Sequence, residues 1–245
     1  MDGPVISLYG SAARPQYWIN LYDTLGDNKI GFEIVFVGPN VPDFSLPDNF
    51  YYIKSNVKPA QCVEIAARNT AGLLIMQIAD DIEFKTAKML DILYGVYTSY
   101  NDNEKLIVSC RYMMDGIDAS PTCHYYHSGK TDTPMISVAG LMSSKLYKAV
   151  GGVDRNFIAV CSDIDIIMRV HVYGGFVILS DVYVNEDRTH SSNDLYARYG
   201  VVDRVLLDSL WVIHNVVQPC RLRPFEPFSG ERILEVSQGP KGRWV

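Results

Sequence analysis

Leu73-Leu74-Ile75-Met76-Gln77-Ile78-Ala79-Asp80-Asp81 is a near-continuous apolar run that stops abruptly at two carboxylates. Such a run suits a strand covered on both faces, as in a parallel sheet flanked by helices. The acids then stand at its C-terminal end, where ligands gather in open α/β sheets. Two readings of the acids compete. They can cap the helix expected near Lys85, since acids are favoured at a helix start. Alternatively they hold a cation, because adjacent carboxylates repel without one, and hard cations such as Mg²⁺ and Mn²⁺ bind carboxylate together with phosphate oxygens. The repulsion argument favours the cation.

Outward from that strand the pattern alternates. Before it, the residues predict a strand over Val5–Tyr9, a helix over Gln16–Leu25, strands over Gly31–Gly38 and Tyr51–Lys54, and a helix over Ala60–Ala71. After it come a helix over Lys85–Tyr100, a strand over Leu106–Met113, a short strand over Met135–Leu141 and helices from Ser143 and from near Ser162. A strand over Phe176–Leu179, a strand-like Val182–Val184 and a long helix over Asp194–Asn215 follow. This order predicts an α/β domain with a mostly parallel central sheet, right-handed crossovers and helices on its faces. The stretch Asp115–Pro134 is polar and turn-rich, and is expected to be a substrate-contacting loop. Residues 1–215 form the expected catalytic domain, and 216–245, with four prolines and little periodicity, an extension packing on it or on a partner.

Composition bounds the function. At 245 residues, with 48% hydrophobic and 20% charged residues, the chain can bury one large core. Its formal charge of −6 speaks against an extended nucleic-acid footprint, which needs clustered Lys and Arg. The cysteines Cys62, Cys110, Cys123, Cys161 and Cys220 form no framework, which suits reduced thiols. The opening residues lack the basic start and longer apolar stretch of a signal peptide, and no apolar run reaches membrane-spanning length, so a cytoplasmic location is expected.

Several residues carry candidate chemistry. Asp163 lies in the first turn of the helix from Ser162. Ser162 with Asp165 has the spacing of a capping box, which leaves Asp163 to point into the cleft as a general base. His190, after the last expected strand, is either a surface residue or a further ligand beside Asp81. Arg68 either reaches a phosphate or pairs with Glu64 four residues earlier on the same helix. Cys123, His124 and His127 lack the second ligand pair that zinc requires. Neither GxGxxG nor GxxxxGK[ST] occurs, so a carboxylate-bound metal has to carry any phosphates. Gly-x-Ser-x-Gly is absent as well, which weakens a hydrolase reading.

Taken in order, these segments resemble the GT-A glycosyltransferases, especially the inverting, family 2-like ones. Ile6-Ser7-Leu8-Tyr9 is similar to the family's first strand, Ala67-Arg68-Asn69 to its Ala-Arg-Asn segment, and Asp80-Asp81 to its Asp-x-Asp. Gly151-Gly152-Val153-Asp154 resembles Gly-Gly-Phe-Asp, and Ser162-Asp163-Ile164-Asp165 with Arg169 and Gly174 resembles Glu-Asp-x-Asp-Leu…Arg…Gly. His190-Ser191 resembles the late metal-binding His. Three positions depart from the pattern: Ala79 replaces the first Asp, Gly38-Pro39-Asn40 the acidic end of the second strand, and Ser162 a Glu.

The resemblance implies a non-processive transferase that moves one sugar from a nucleotide-diphosphate sugar, a UDP-sugar as the expected donor, to a glycan or other hydroxyl acceptor. It implies donor-binding roles for Ser7, Tyr9, Asn40, Arg68, Asp80 and Gly140, metal ligation by Asp81 and His190 with Mn²⁺ or Mg²⁺ as cofactor, and Asp163 as base. A sugar-phosphate nucleotidyltransferase is the competing enzyme, although Gly10–Arg14 is a poor version of its Gly-rich basic loop. A catalytically silent sugar- or protein-binding module on the same fold is the competing non-enzyme.

Overall fold

The computed structural model describes residues 5–114, 116–118, 139–186, 194–212 and 220–228. Its strands are β1 (Ile6–Ser11), β2 (Phe32–Gly38), β3 (Phe50–Lys54), β4 (Leu74–Gln77), β5 (Ile82–Phe84) and β6 (Leu106–Met114). They continue with β7 (Ile117–Asp118), β8 (Gly140–Ser143), β9 (Phe176–Glu186), β10 (Trp211–Val212) and β11 (Cys220–Arg221). The helices are α1 (Trp18–Asp23), α2 (Pro59–Arg68), α3 (Met89–Ser99), α4 (Ser144–Ala149), α5 (Ser162–Val172) and α6 (Asp194–Leu210).

Alternation along the strands builds a two-faced sheet, because successive side chains point to opposite sides. Ile6, Leu8, Ile34, Phe36, Leu74 and Met76 join α1 and α3 in one core. Tyr9, Val35, Val37 and Ile75 join α2, α4, α5 and α6 in the other. Trp18 anchors α1 in the first core, with ring centroids 5.4 Å from Phe36 and 5.3 Å from Tyr52. Each such fully buried apolar side chain contributes roughly 1.5–3 kcal/mol. Pro59 at the first turn of α2 supplies a fixed φ suited to starting a helix.

The main sheet runs β3-β2-β1-β4-β8-β6-β9-β5, with β7 added to β6. It forms one α/β domain, but the parallel expectation holds only in part. β3, β2, β1 and β4 pair in parallel. β8 then inserts antiparallel between β4 and β6, β9 is parallel to β6, and β5 closes the order antiparallel to β9. Periodicity reports which face a side chain takes and carries no information on strand direction, so the mixed half was not legible. The expected break between Leu179 and Val182 is likewise absent: β9 is one strand with a register shift opposite Ser109 and Arg111.

The C-terminal residues that are described pack on the domain. Phe228 is buried in the helix-rich core, and Pro227 forms a bridge with Asp154. No helix among the described residues is long and apolar enough to cross a membrane.

Candidate functional site

Chain order places the site. The strand order reverses at β1, with β2 and β3 on one side and β4 on the other, which opens a crevice at the carboxyl ends of β1 and β4. Into that crevice come the loop after β1, with Arg14, and the acids after β4. β9 runs parallel to β6, and α5 immediately precedes it, so the α5 N-terminus with Asp163 lies at the same edge. The start of the antiparallel β8, Gly140, arrives there too, buried opposite Ser109. Two non-glycine residues with positive φ flank these arrivals: Ala139 at 46° before β8 and Cys161 at 64° before α5. Such strain costs of order 1–3 kcal/mol and concentrates at functional sites.

Asp80 is buried and fully engaged. Its Oδ2 accepts the backbone N–H groups of Ala13 and Arg14, both at 2.7 Å, and its Oδ1 accepts Arg14 Nε at 3.0 Å and a second guanidinium nitrogen. The remaining terminal nitrogen of Arg14 donates to Asp81 Oδ2. One guanidinium therefore grips both acids, and supplies the positive charge that the sequence could only demand in the abstract. The loop is pinned from the other side. Asn40 Nδ2 donates to the Ala13 carbonyl at 2.6 Å, and a Cβ on Gly38 would fall 1.6 Å from the Ala12 carbonyl oxygen, so only glycine fits there. Because the Ala13 and Arg14 amides are already given to Asp80, the loop is not a phosphate cradle of the nucleotidyltransferase kind.

Asp81 differs from its neighbour. Its side chain is 4% exposed, yet Oδ1 is buried without a hydrogen-bond partner. Burial pushes its carboxyl pKa up, Arg14 pulls it down, and the charges of Asp80 and Glu186 push it up again. An unpartnered buried carboxylate oxygen is expensive and marks a position awaiting a ligand, a proton or water. The helix-capping alternative is excluded, since β5 follows the acids and α3 begins only at Met89, with Lys88 as its N-cap.

Glu186, which carries no local signal in the sequence, ends β9 opposite Ile82 and is a third acid at this edge. Its Oε2 accepts the Tyr112 hydroxyl. No group of three His, Cys, Asp or Glu among the described residues is placed as a metal cage. The open Oδ1 of Asp81 is a hard oxygen donor of the kind Mg²⁺ and Mn²⁺ take, and it would be the protein's ligand to such an ion. His190 lies outside the described residues, as does most of the loop Asp115–Pro134.

Asp163 is exposed in the first turn of α5, and desolvation by the protein around it pushes its carboxyl pKa up against two backbone N–H groups, its own and that of Ile164. Its charge also raises the pKa of the Tyr9 phenol, which places the two near one another. The turn ahead of α5 is held by Asp203, whose carboxylate accepts the backbone N–H groups of Ile158, Ala159 and Val160 at 3.0, 2.7 and 2.9 Å.

The capping box expected at Ser162 and Asp165 is not formed: the N-cap is Cys161 and makes no side-chain cap bond. Asp165 is fully buried instead. Its Oδ1 accepts Trp211 Nε1 at 2.9 Å and Arg221 Nε at 3.2 Å, and its Oδ2 accepts Arg169 Nε at 3.0 Å. Arg221 also reaches Asp154 Oδ2 at 2.5 Å, so the C-terminal segment locks α5 to the Gly151–Asp154 turn.

Three other expected donor contacts have work inside the protein. Ser7 is fully buried, donates to Glu33 at 2.5 Å and accepts the Gly72 N–H at 2.8 Å. Tyr9 is 1% exposed and hydrogen-bonded to Tyr147, whose hydroxyl donates to Glu64 at 2.7 Å. Arg68 donates to Glu64 at 2.7 Å and to the Phe228 carbonyl at 2.7 Å, the helical pair that its spacing allowed. Asn40, Asp80, Asp81, Gly140 and Asp163 do reach the carboxyl edge.

No family model matches the sequence, and no curated protein matches it. Solved structures do. Residues 1–349 of S. aureus TarS superpose with a TM-score of 0.60 at 12% identity, over 84% of this chain and 65% of that one. The same protein in complex with UDP gives 0.58 at 12% identity, covering 78% and 62%, and in complex with UDP-GlcNAc 0.57 at 12%, covering 74% and 58%. The chain thus spans just under two thirds of these structures' length. Crevice, strand order and superposition agree: the chain has the fold of the GT-A glycosyltransferases.

Proposed function

We propose that the chain is a glycosyltransferase that moves one sugar from a UDP-sugar to an acceptor hydroxyl, with inversion at the transferred carbon. The observation that carries this reading is the arrival, at one carboxyl edge, of the half-satisfied Asp81 and of Asp163 in the exposed first turn of α5. Similar structures bind UDP and UDP-GlcNAc, which supports a nucleotide-diphosphate sugar as donor.

Asp81 Oδ1 would hold Mg²⁺ or Mn²⁺, with His190 as a further ligand, and the bound ion would supply positive charge against the negative charge that grows on the departing diphosphate. Asp80, immobilised by four donors, fixes the loop after β1 and with it Asn40 at the donor side of the crevice. Asp163 takes the proton from the acceptor hydroxyl as that oxygen bonds to the sugar carbon and the carbon–phosphate oxygen bond breaks, its electron pair leaving with UDP. Asp163 then returns the proton to solvent. A carboxyl pKa raised above the ordinary carboxylate value by desolvation makes Asp163 a stronger base than an ordinary surface acid.

The test is a panel of UDP-sugars incubated with the full chain and Mn²⁺, with candidate glycan acceptors present, following UDP release. Release that requires one donor sugar and an acceptor supports transfer. Binding of UDP-sugars without release under any metal or acceptor would instead make the chain a binding module on this fold.

A further inference from the structure

The attachment of Arg14 bears on how a cation can enter, and the argument rests on the donor-site reading above. The guanidinium is not a loose counter-ion. Nε and one terminal nitrogen are held by Asp80 Oδ1, its own backbone N–H by Asp80 Oδ2, and only the other terminal nitrogen touches Asp81. The loop that bears it is fastened by Asn40 and by the close approach of Gly38 to Ala12. Arg14 is 23% exposed in its side chain, against 4% for Asp81. Its attachment to Asp80 does not depend on its contact with Asp81.

A divalent ion at Asp81 Oδ1 would share one carboxylate with a fixed guanidinium on Oδ2. Two positive centres on one partly buried carboxylate repel each other, and water screens that repulsion poorly there. A diphosphate brings negative charge to both, and turns the repulsion into a shared attraction.

We propose that Arg14 is a positioning residue of the donor site that makes divalent-cation binding conditional on a nucleoside diphosphate: the ion binds weakly alone and tightly with its ligand. Arg14 does this as a fixed charge, with Asp80 as its mount. Asp80 thereby acquires a role without touching the ion.

Mn²⁺ affinity of the full chain is measured by electron paramagnetic resonance, alone and with UDP, for wild type, Arg14→Gln and Arg14→Lys, each checked for folding by circular dichroism. Wild type should bind Mn²⁺ about tenfold or more tightly with UDP than without. Arg14→Gln should bind Mn²⁺ alone about tenfold more tightly than wild type and lose most of the coupling. Arg14→Lys, which keeps the charge, should stay near wild type. A folded Arg14→Gln that binds Mn²⁺ alone no better than wild type overturns the proposal. If Arg14→Gln does not fold, the wild-type coupling decides, and equal Mn²⁺ affinity with and without UDP overturns it. Failure of the donor reading looks different: UDP then binds none of the proteins, whereas the effect of Arg14 on Mn²⁺ alone is read without nucleotide.

Discussion

Two pairs of aspartates in this chain meet arginine, and they end up in opposite states. Asp154, ahead of α5, and Asp165, within it, are fully buried and saturated. Asp154 Oδ1 accepts from the backbone and side chain of Asn156, its Oδ2 from Arg221, and both oxygens of Asp165 accept from Trp211, Arg221 and Arg169. Asp80 and Asp81, at the crevice, share one guanidinium, and one oxygen of Asp81 is left with nothing. Both pairs fall in segments that resemble family motifs, so motif matching alone does not separate them. What separates them is completeness: a saturated buried network specifies structure, and an unsaturated one is available for chemistry.

The comparison predicts different failures for the two regions. The largest effect belongs to the crevice. Asp163→Asn should lower the turnover for transfer by about 10²–10⁴-fold while donor binding is kept, as steady-state kinetics and calorimetry would register. Wild-type turnover in that variant would remove Asp163 from the reaction. Next comes the saturated pair. Arg221→Met leaves two buried carboxylates short of a partner and should cost about 3–5 kcal/mol in denaturant unfolding. A loss below about 1 kcal/mol would place that network among ordinary surface pairs.

The smallest effect runs the other way. The folded-state carboxyl pKa of Asp163 lies above its unfolded value, so the folded protein binds the extra proton. Stability from this group is complete below about pH 3.9 and is lost as pH rises through the raised folded value. Asp163→Asn, which cannot ionise, should therefore melt higher than wild type at neutral pH, and the gain should shrink as pH falls toward 4. A lower melting temperature at pH 7 would mean that the ionised carboxylate is held by contacts stronger than its enclosure.

The sequence revealed the fold as far as local pattern reaches. The apolar run ending at Asp80 stood out because both faces of β4 are covered, and α2 and α5 because their apolar residues recur at helical spacing. What it missed is carried by partners distant in the chain. β5 is three residues long and exists only through pairing with β9. Asp165 was assigned to a cap three residues away, while its partners Trp211 and Arg221 lie 46 and 56 residues on. Arg14 was weighed as part of a phosphate loop, because nothing local announces that its guanidinium belongs to acids 66 and 67 residues away. Ser7 and Tyr9 followed the family pattern, but strand alternation buries both, and each hydroxyl has a partner inside the core.

The most direct test of the account is UDP titration by calorimetry, with and without Mn²⁺, on wild type and Asp81→Asn. The account predicts that Mn²⁺ strengthens UDP binding to wild type, and that Asp81→Asn folds normally but loses about tenfold or more of the Mn²⁺-dependent affinity. Equal UDP affinity in the two proteins, or none in either, would contradict a donor site built on the open oxygen of Asp81.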